Sequence, residues 1–395
     1  MKKTARIFIA FSIIVLLTSP LAAQKINFSH ESWPEVLAKA KAENKYIFMD
    51  ANTSWCSWCK VQDRETFTNT EVIALVESKC IAVQYDFEEG EGLRLAKKFR
   101  TSGFPTNYIF SPEGIMIHRI VGYEKDIKKY TEDLNKGFSA KVTYSPVFDA
   151  KLLDLKYPEF YDKAYGKKKI YPKDSVLNAY LDQQTDLYSE INYSVMKRFS
   201  SLMAPKYWSQ IMDNLEKYQS IYGADDITEL KNTYVNVLVS KAAKEKNEDG
   251  LNLAIEKAKA LELDKEGFTT RMKMNYYGKT GENDKYLEAS EEMLATSEFK
   301  DPDMVNATAW FVYEKIDDPI AVKRALGWFK NFDMPAQSYA VMDTYACLLY
   351  KDKQFEYAKK FATLALEKGK TGKDDVSDTE KMLKKIDEAL KNGKK

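Results

Sequence analysis

The sequence predicts an α/β domain followed by an all-α domain. In the first part, short apolar runs alternate with polar helical segments in the order β-α-β-α-β-α-β-β-α. From about Val142 onward, apolar residues recur at helical spacing almost to the end. A chain of 395 residues is long enough for two domains. Its 60 Lys and Arg nearly balance its 59 Asp and Glu, which argues against a nucleic-acid-binding protein.

The first 23 residues have the pattern of a cleaved signal peptide. Lys2, Lys3 and Arg6 form a basic region, Ile7 to Leu17 an apolar region, and Pro20 to Ala23 a small-residue cleavage zone. The apolar region is too short to span a bilayer. We therefore expect a mature protein that is exported, soluble and periplasmic or otherwise extracytoplasmic, without a transmembrane segment.

The α/β domain is expected to begin with an edge strand and a capped helix. Lys25–Phe28 predicts a short strand, and the capping box from Ser32 to Glu35 opens a helix that runs to about Glu43. A buried strand from Tyr46 ends at Asp50. A helical region then extends to about Ser78, with a break near residues 68–70.

The second half of this domain adds three strands and two helices. Cys80–Tyr85 predicts a strand, and Glu91–Phe99 predicts a helix. A strand from Gly103 to Phe110 has Pro105 at its start, a hairpin turn follows, and Ile115–Val121 returns. A last helix from Glu124 is expected to end at Gly137.

Two cysteines separated by two residues stand at the junction between a strand and a helix. Cys56 lies where a helix N-terminus would favour a thiolate, and Cys59 lies one turn further on. A zinc site at this pair would need two more ligands, and the chain offers only His30 and His118 as histidines, with no second cysteine pair. We therefore expect a redox dithiol without metal or cofactor.

The motifs of residues 25–137 resemble those of the thioredoxin family. The matching features are Trp55-Cys56-x-x-Cys59-Lys60, an Asp six residues before the first Cys, and Gly103-Phe104-Pro105-Thr106 at a late strand. The segment from Cys59 to Val72 is also similar to the C-terminal domain of the periplasmic thiol:disulfide interchange protein. The resemblance implies a thioredoxin fold and thiol–disulfide exchange.

The resemblance also assigns expected roles to individual residues. Cys56 would attack a client disulfide, and the more buried Cys59 would resolve the mixed disulfide. Asp50 ends an apolar strand, so its pKa is expected to be raised, and its position matches the buried proton acceptor of thioredoxins. Phe104 and a cis Pro105 would bind an extended client.

Three further expectations concern the residues around this dithiol. Trp55 would contribute both to packing and to the client-binding surface. The lysine that many thioredoxins place near the buried acid is absent from the strand Ile81–Tyr85. Ser57-Trp58 between the cysteines leaves the reduction potential and the direction of electron flow open, with reductase or isomerase preferred.

The remaining cysteines and the chain after the domain suggest structural roles. Cys80 and Cys347 are expected to pack in cores, and whether they are free thiols or form a disulfide with each other stays open. Residues 139–171, including the exposed lysine run 167–169, are expected to be a linker. Residues 172–395 then predict helices throughout.

A degenerate repeat is visible in the helical part. Small residues recur at spacings of 35, 32 and 37, and three of them have an alanine twelve residues earlier. The segment from Phe355 to Ala358 resembles a tetratricopeptide-like repeat, and a capping helix from Ser377 closes the array. The recurring alanines are Ala254, Ala289, Ala321 and Ala358, with Ala242, Ala309 and Ala346 ahead of them.

The residues therefore suggest two functions. The first is an exported thiol-disulfide oxidoreductase, with client proteins that carry disulfides or thiols and a membrane electron donor as partners. Residues 24–138 would hold the chemistry and the helical domain would select clients. In the alternative, the helical repeats are a protein-binding module, and the thioredoxin-like domain is its structural support.

Overall fold

The computed structural model describes residues 25–142, 144–263, 265, 267–296, 301–372 and 374–392. The expected signal peptide lies outside these residues. The described residues divide into two compact units, with the boundary between Tyr207 and Trp208. None of the helices within the described ranges is long and apolar enough to cross a membrane.

The first unit contains a mixed four-stranded sheet flanked by helices. The strands are β1 (Tyr46–Asn52), β2 (Cys80–Asp86), β3 (Thr106–Phe110) and β4 (Met116–Val121), in the spatial order β2-β1-β3-β4. Strand β1 pairs in parallel with β2 and antiparallel with β3, and β3 pairs antiparallel with β4. The helices are α1 (Trp33–Glu43), α2 (Ser57–Glu65), α3 (Thr70–Lys79), α4 (Gly90–Lys98) and α5 (Ile127–Ser139).

Both faces of the sheet carry a core, as the alternation of side chains along its strands requires. On one face, Phe48 and Ile109 pack with apolar residues of α3 and α5. On the other face, Trp33 of α1 packs edge-on against Phe110, and Phe99 lies against Tyr108. The sheet is therefore buried on both sides, as in an α/β domain.

The structure confirms most expected elements and corrects several. Strand β1 continues past Asp50 to Asn52. Lys25–Phe28 is not a strand, because a single bridge joins Ser29 to Val83 and the preceding residues bond elsewhere: the Ile26 N–H donates to the carbonyl of Phe67. Strand β3 begins at Thr106 rather than at residue 103. Helix α5 begins at Ile127 rather than at Glu124 and continues past Gly137 to Ser139.

The chain after α5 also packs within the first unit. Three helices follow, α6 (Glu159–Asp162), α7 (Asp174–Asp182) and α8 (Glu190–Arg198). The buried Lys98 of α4 donates to the carbonyl of Pro146 at 2.8 Å and forms an ion pair of 2.7 Å with Glu190. The indole N–H of Trp33 donates to the carbonyl of Ala150 at 2.9 Å. The segment expected as a linker thus contributes contacts to the sheet domain.

The second unit is helical wherever it has regular structure among the described residues. Helix α9 (Pro205–Met212) leads into it, and the small residues predicted at helix crossings are buried there, among them Ala254, Ala309 and Ala346. The tetratricopeptide-like repeat itself stays a prediction. The helices are α10 (Leu215–Tyr222), α11 (Ala224–Glu245), α12 (Glu248–Ala260), α13 (Phe268–Thr280), α14 (Asn283–Thr296), α15 (Pro302–Lys315), α16 (Pro319–Trp328), α17 (Tyr339–Lys351), α18 (Phe355–Gly372) and α19 (Ser377–Asn392).

Candidate active site

The two cysteines of the Cys-x-x-Cys motif form a disulfide at the start of α2. Cys56 is the N-cap residue of this helix, and its Sγ is bonded to that of Cys59 at 2.12 Å. The backbone N–H of Cys59 points to the Cys56 Sγ at 3.0 Å. After reduction, this N–H group and the helix N-terminus would favour a thiolate on Cys56.

The structure corrects the expected difference in burial between the cysteines. Cys56 is 3% exposed and Cys59 is 5% exposed, so Cys59 is not the more buried residue. The bonded sulfur atoms lie side by side and cover one another, which removes the difference expected from their positions on the helix. The oxidised pair is therefore enclosed, and client contact with Cys56 depends on the residues around it.

Exposed aromatic side chains flank the disulfide. Trp55 is 60% exposed and meets Phe104 edge-on, with ring centroids 6.1 Å apart. Trp58 is 57% exposed and stacks on Tyr123 at 5.5 Å. The Tyr123 hydroxyl donates to the Glu65 carboxylate at 2.6 Å. Sequence reasoning singled out Trp55 and Phe104 but missed Tyr123, which is remote in the chain.

The peptide bond between Phe104 and Pro105 is cis, as the resemblance implied. Pro105 is buried, and its carbonyl accepts a hydrogen bond from the Gly122 N–H at 2.8 Å. Phe104 is partly exposed and contacts Trp55. The structure thus brings Trp55 and Phe104 together beside Cys56, the residue that follows Trp55.

Asp50 lies buried in the sheet, 1% exposed, and is surrounded by side-chain amides. Its carboxylate accepts hydrogen bonds from Asn107 at 2.8 Å, Gln84 at 2.9 Å and Asn52 at 3.2 Å. Burial raises the pKa of Asp50 to about 7, and these hydrogen bonds offset only part of that effect. The expected raised pKa is confirmed by this enclosure.

Gln84 links Asp50 to a second carboxylate. Its Nε2 donates to Asp50 and also to Asp63 of α2 at 3.2 Å. Burial raises the pKa of Asp63, and the negative charge of Asp63 further raises the pKa of Asp50. Tyr130 completes the surroundings by donating its hydroxyl to Asn107 at 2.8 Å. The sheet therefore presents a neutral amide where many thioredoxins have a lysine.

Sequence reasoning missed the amides around Asp50. Gln84 and Asn107 lie directly across from Asp50 in the neighbouring strands β2 and β3. Each is a polar residue on the alternate positions of a mostly buried strand, and that signal was available in the sequence. The pairing register that places them beside Asp50 could not be read from the sequence.

The other two cysteines take no part in this disulfide. Cys80 and Cys347 are buried free thiols, and burial raises the pKa of Cys80 to about 12 and also raises that of Cys347. Such thiols are poor nucleophiles. Across the described residues, no three His, Cys, Asp or Glu side chains converge on a metal-binding position.

Comparisons with known proteins match the first part of this chain. Residues 20–121 match the family model named for thioredoxin-like DsbH and described as protein of unknown function DUF255. A candidate disulphide-isomerase from Bacteroides thetaiotaomicron, solved in solution, is 30% identical to the chain. The match covers 30% of this chain and 97% of that protein, with a TM-score of 0.28.

Two further relatives extend the comparison. A solved DsbH oxidoreductase is 20% identical, with 32% of this chain and 94% of that chain covered and a TM-score of 0.27. An uncharacterised Caenorhabditis elegans protein is 30% identical over 113 residues, which are 26% of this chain. The chain spans only 15% of the length of that curated relative.

The family match falls on the residues that build the sheet and the disulfide. It includes β1, the Cys56–Cys59 pair and the Phe104–Pro105 bond. The strand-to-helix position of the disulfide and the cis Phe104–Pro105 bond are those expected from the resemblance. The chain therefore belongs to the thioredoxin-like proteins, with a thioredoxin-like domain at residues 25–137 and a long all-helical region after it.

Proposed function

We propose that the protein is an exported thiol-disulfide oxidoreductase that exchanges disulfides with client proteins. The observation that carries this proposal is the Cys56–Cys59 disulfide at the N-terminus of α2, in the same domain as the buried Asp50. A dithiol at a helix N-terminus can alternate between a thiolate nucleophile and a disulfide.

In the reductase direction, the reaction proceeds in two exchanges. The Cys56 thiolate attacks one sulfur of a client disulfide, the client S–S bond breaks, and one client thiolate leaves. The Cys59 thiol then loses its proton to Asp50, and its sulfur attacks Cys56. The second client thiolate leaves, so the client gains two electrons and the Cys56–Cys59 disulfide forms.

The exposed aromatic residues support a protein client. Trp55 meets Phe104 edge-on, and Trp58 stacks on Tyr123. Exposed aromatic groups bind partners by burying large apolar areas. A client segment that brings its disulfide to Cys56 would meet these side chains first.

The expected signal peptide supports an extracytoplasmic location. An exported dithiol is oxidised unless a partner reduces it, so the reductase direction requires a dithiol donor at the membrane. No histidine lies between the cysteines to stabilise a thiolate strongly, which favours reductase or isomerase activity over oxidation.

Mixed-disulfide trapping in the cell envelope tests this proposal. The Cys59→Ala variant retains the attacking thiol but cannot resolve, so client proteins should accumulate on Cys56 and be released by reductant. Cys80→Ala is the matched control and should trap none, because it retains both active cysteines. An absence of Cys56-linked clients, together with no reduction of a model disulfide in vitro, would contradict the enzyme proposal and favour the helical binding module.

A further inference from the structure

The lysine run at residues 167–169 lies against the loop that follows β2. Lys169 Nζ forms an ion pair with Glu88 Oε1 at 2.9 Å, and Lys167 Nζ pairs with Glu89 at 2.5 Å. The backbone also comes close, because a Cβ added to Gly166 would stand 3.5 Å from the Glu88 carbonyl oxygen. Residues 166–169 therefore contact the thioredoxin-like domain at Gly166, Lys167 and Lys169.

Glu88 shares its carboxylate between this run and the active site. Its side chain is only 4% exposed, and its Oε2 accepts a hydrogen bond of 2.8 Å from the indole N–H of Trp55. Lys169 occupies the other oxygen, and its Nζ lies 5.4 Å from the centre of the Trp55 ring. A buried carboxylate needs such partners, because an unpaired one is strongly disfavoured.

These contacts affect the active site because they hold Trp55, which lies next to Cys56. Trp55 precedes Cys56, is largely exposed and touches Phe104. An exposed side chain has little packing to fix its orientation, so the hydrogen bond to Glu88 and the ammonium group of Lys169 define where the ring stands. That ring forms one side of the surface that a client would contact.

We infer that Lys169 is a positioning residue of the active site, which holds Trp55 in its client-binding orientation through Glu88. The inference rests on the proposed function only where it speaks of a client. The orientation of Trp55 by Glu88 and Lys169 does not depend on that function. A segment that follows the thioredoxin-like domain in the chain thereby completes the surface around Cys56. Lys169 acts on client binding and leaves the exchange chemistry of the two cysteines unchanged.

Substitutions in the full chain test this inference, because a positioning role of Lys169 should affect KM and leave kcat unchanged. Lys169→Met should raise KM for a protein disulfide by about three- to tenfold, the size of losing one side-chain contact, with kcat unchanged. Lys169→Arg, which keeps the charge, should restore KM. Lys168→Met alters the exposed neighbouring lysine and should behave as the wild type.

A spectroscopic measurement separates this inference from the proposed function. The Trp55 signal in near-ultraviolet circular dichroism, obtained by difference with Trp55→Phe, should change in Lys169→Met and return in Lys169→Arg. If the wild type reduces no client, the proposed function fails and this signal alone decides the positioning role. Lys169→Gln serves as a milder variant if Lys169→Met does not fold.

Two results would overturn the inference. One is an unchanged Trp55 signal in a folded Lys169→Met or Lys169→Gln protein, with or without activity. The other is an equal rise of KM in Lys168→Met, which would show that the charge of the run matters and not the contact with Glu88. A KM change that occurs only in the Lys169 variants supports the inference.

Discussion

Burial raises the pKa of the Asp50 carboxyl group, the hydrogen bonds from Gln84, Asn52 and Asn107 offset only part of that rise, and the shift affects stability. In the folded protein this carboxyl keeps its proton up to about pH 7, whereas in the unfolded chain it loses it above about pH 4. The unfolded state thus releases its proton first as the pH rises. The stabilising contribution of the protonated group is complete below about pH 4 and is lost by about pH 7.

Replacing Asp50 with asparagine should therefore stabilise the oxidised protein at alkaline pH. We expect Asp50→Asn to raise the free energy of unfolding of the first unit by at most about 4 kcal/mol at pH ~8, since no charge is then buried. Near pH ~4 the two proteins should differ little. Urea unfolding at both pH values measures this, and an equal effect at both would contradict the burial argument.

The neutral amide of Gln84 should set the pH dependence of client reduction. Gln84→Lys places a positive charge beside Asp50, so the pKa of Asp50 should fall and the acid limb of the pH–rate profile should move to lower pH. Ser78→Lys adds the same charge at an exposed position near the opposite end of β2 and serves as the control. A profile unchanged in Gln84→Lys would remove Asp50 from the proton-transfer step.

At the residue scale, the sequence predicted those site residues whose roles depend on nearby positions in the chain. Cys56, Cys59 and Asp50 are defined by their positions relative to one strand and one helix. Gln84 and Lys169 were missed because their partners are 34 and 81 positions away in the chain, and no local pattern specifies such pairings. The complementary charges of residues 88–89 and 167–169 were the only signal for the second pairing.

At the scale of elements, the sequence predicted an end of helix α5 that is too early. Gly137 indicated a helix end, yet it lies inside α5, where the helix passes close to β3 and β4. A Cβ added there would clash with Ile109 Cδ1 and would stand 3.0 Å from His118 Cβ. Glycine is needed at this position for close packing, which a single sequence does not distinguish from a helix stop.

This packing predicts that alanine at position 137 destabilises the protein, although alanine favours a helix more than glycine does. Gly137→Ala should lower the free energy of unfolding by about 1–3 kcal/mol, because the clash outweighs the gain of about 1 kcal/mol from alanine in a helix. Lys136→Ala changes the exposed neighbour and should have little effect. Thermal unfolding of both variants provides the measurement, and a more stable Gly137→Ala protein would show that the contact is not tight.

At the scale of the whole molecule, the thioredoxin-like domain depends on chain that follows it. Lys98 is fully buried in α4 and finds its counter-charge on Glu190 of α8. Trp33 likewise donates to the carbonyl of Ala150. A chain ended at 138, the boundary expected from the sequence, would remove both partners and leave a buried lysine without compensation.

Truncation tests this dependence. We expect residues 25–138 to be less stable than residues 25–207 by several kcal/mol, since breaking a buried ion pair costs about 3–5 kcal/mol. Lys98→Met should recover part of the loss in the shorter chain, because it removes the uncompensated charge. Equal melting temperatures of the two wild-type fragments would show that the domain is complete at 138.

The proposed function depends on the chemistry of the Cys56–Cys59 dithiol. A stoichiometric exchange assay tests that chemistry most directly. Reduced, purified full-length protein is mixed with a small protein carrying an exposed disulfide, and mass spectrometry follows the thiols of both. We expect each client disulfide lost to be matched by one Cys56–Cys59 disulfide formed, with Cys80→Ser equal to the wild type. Exchange no faster than with a free dithiol, or persistence of the reaction in Cys56→Ser, would contradict the account.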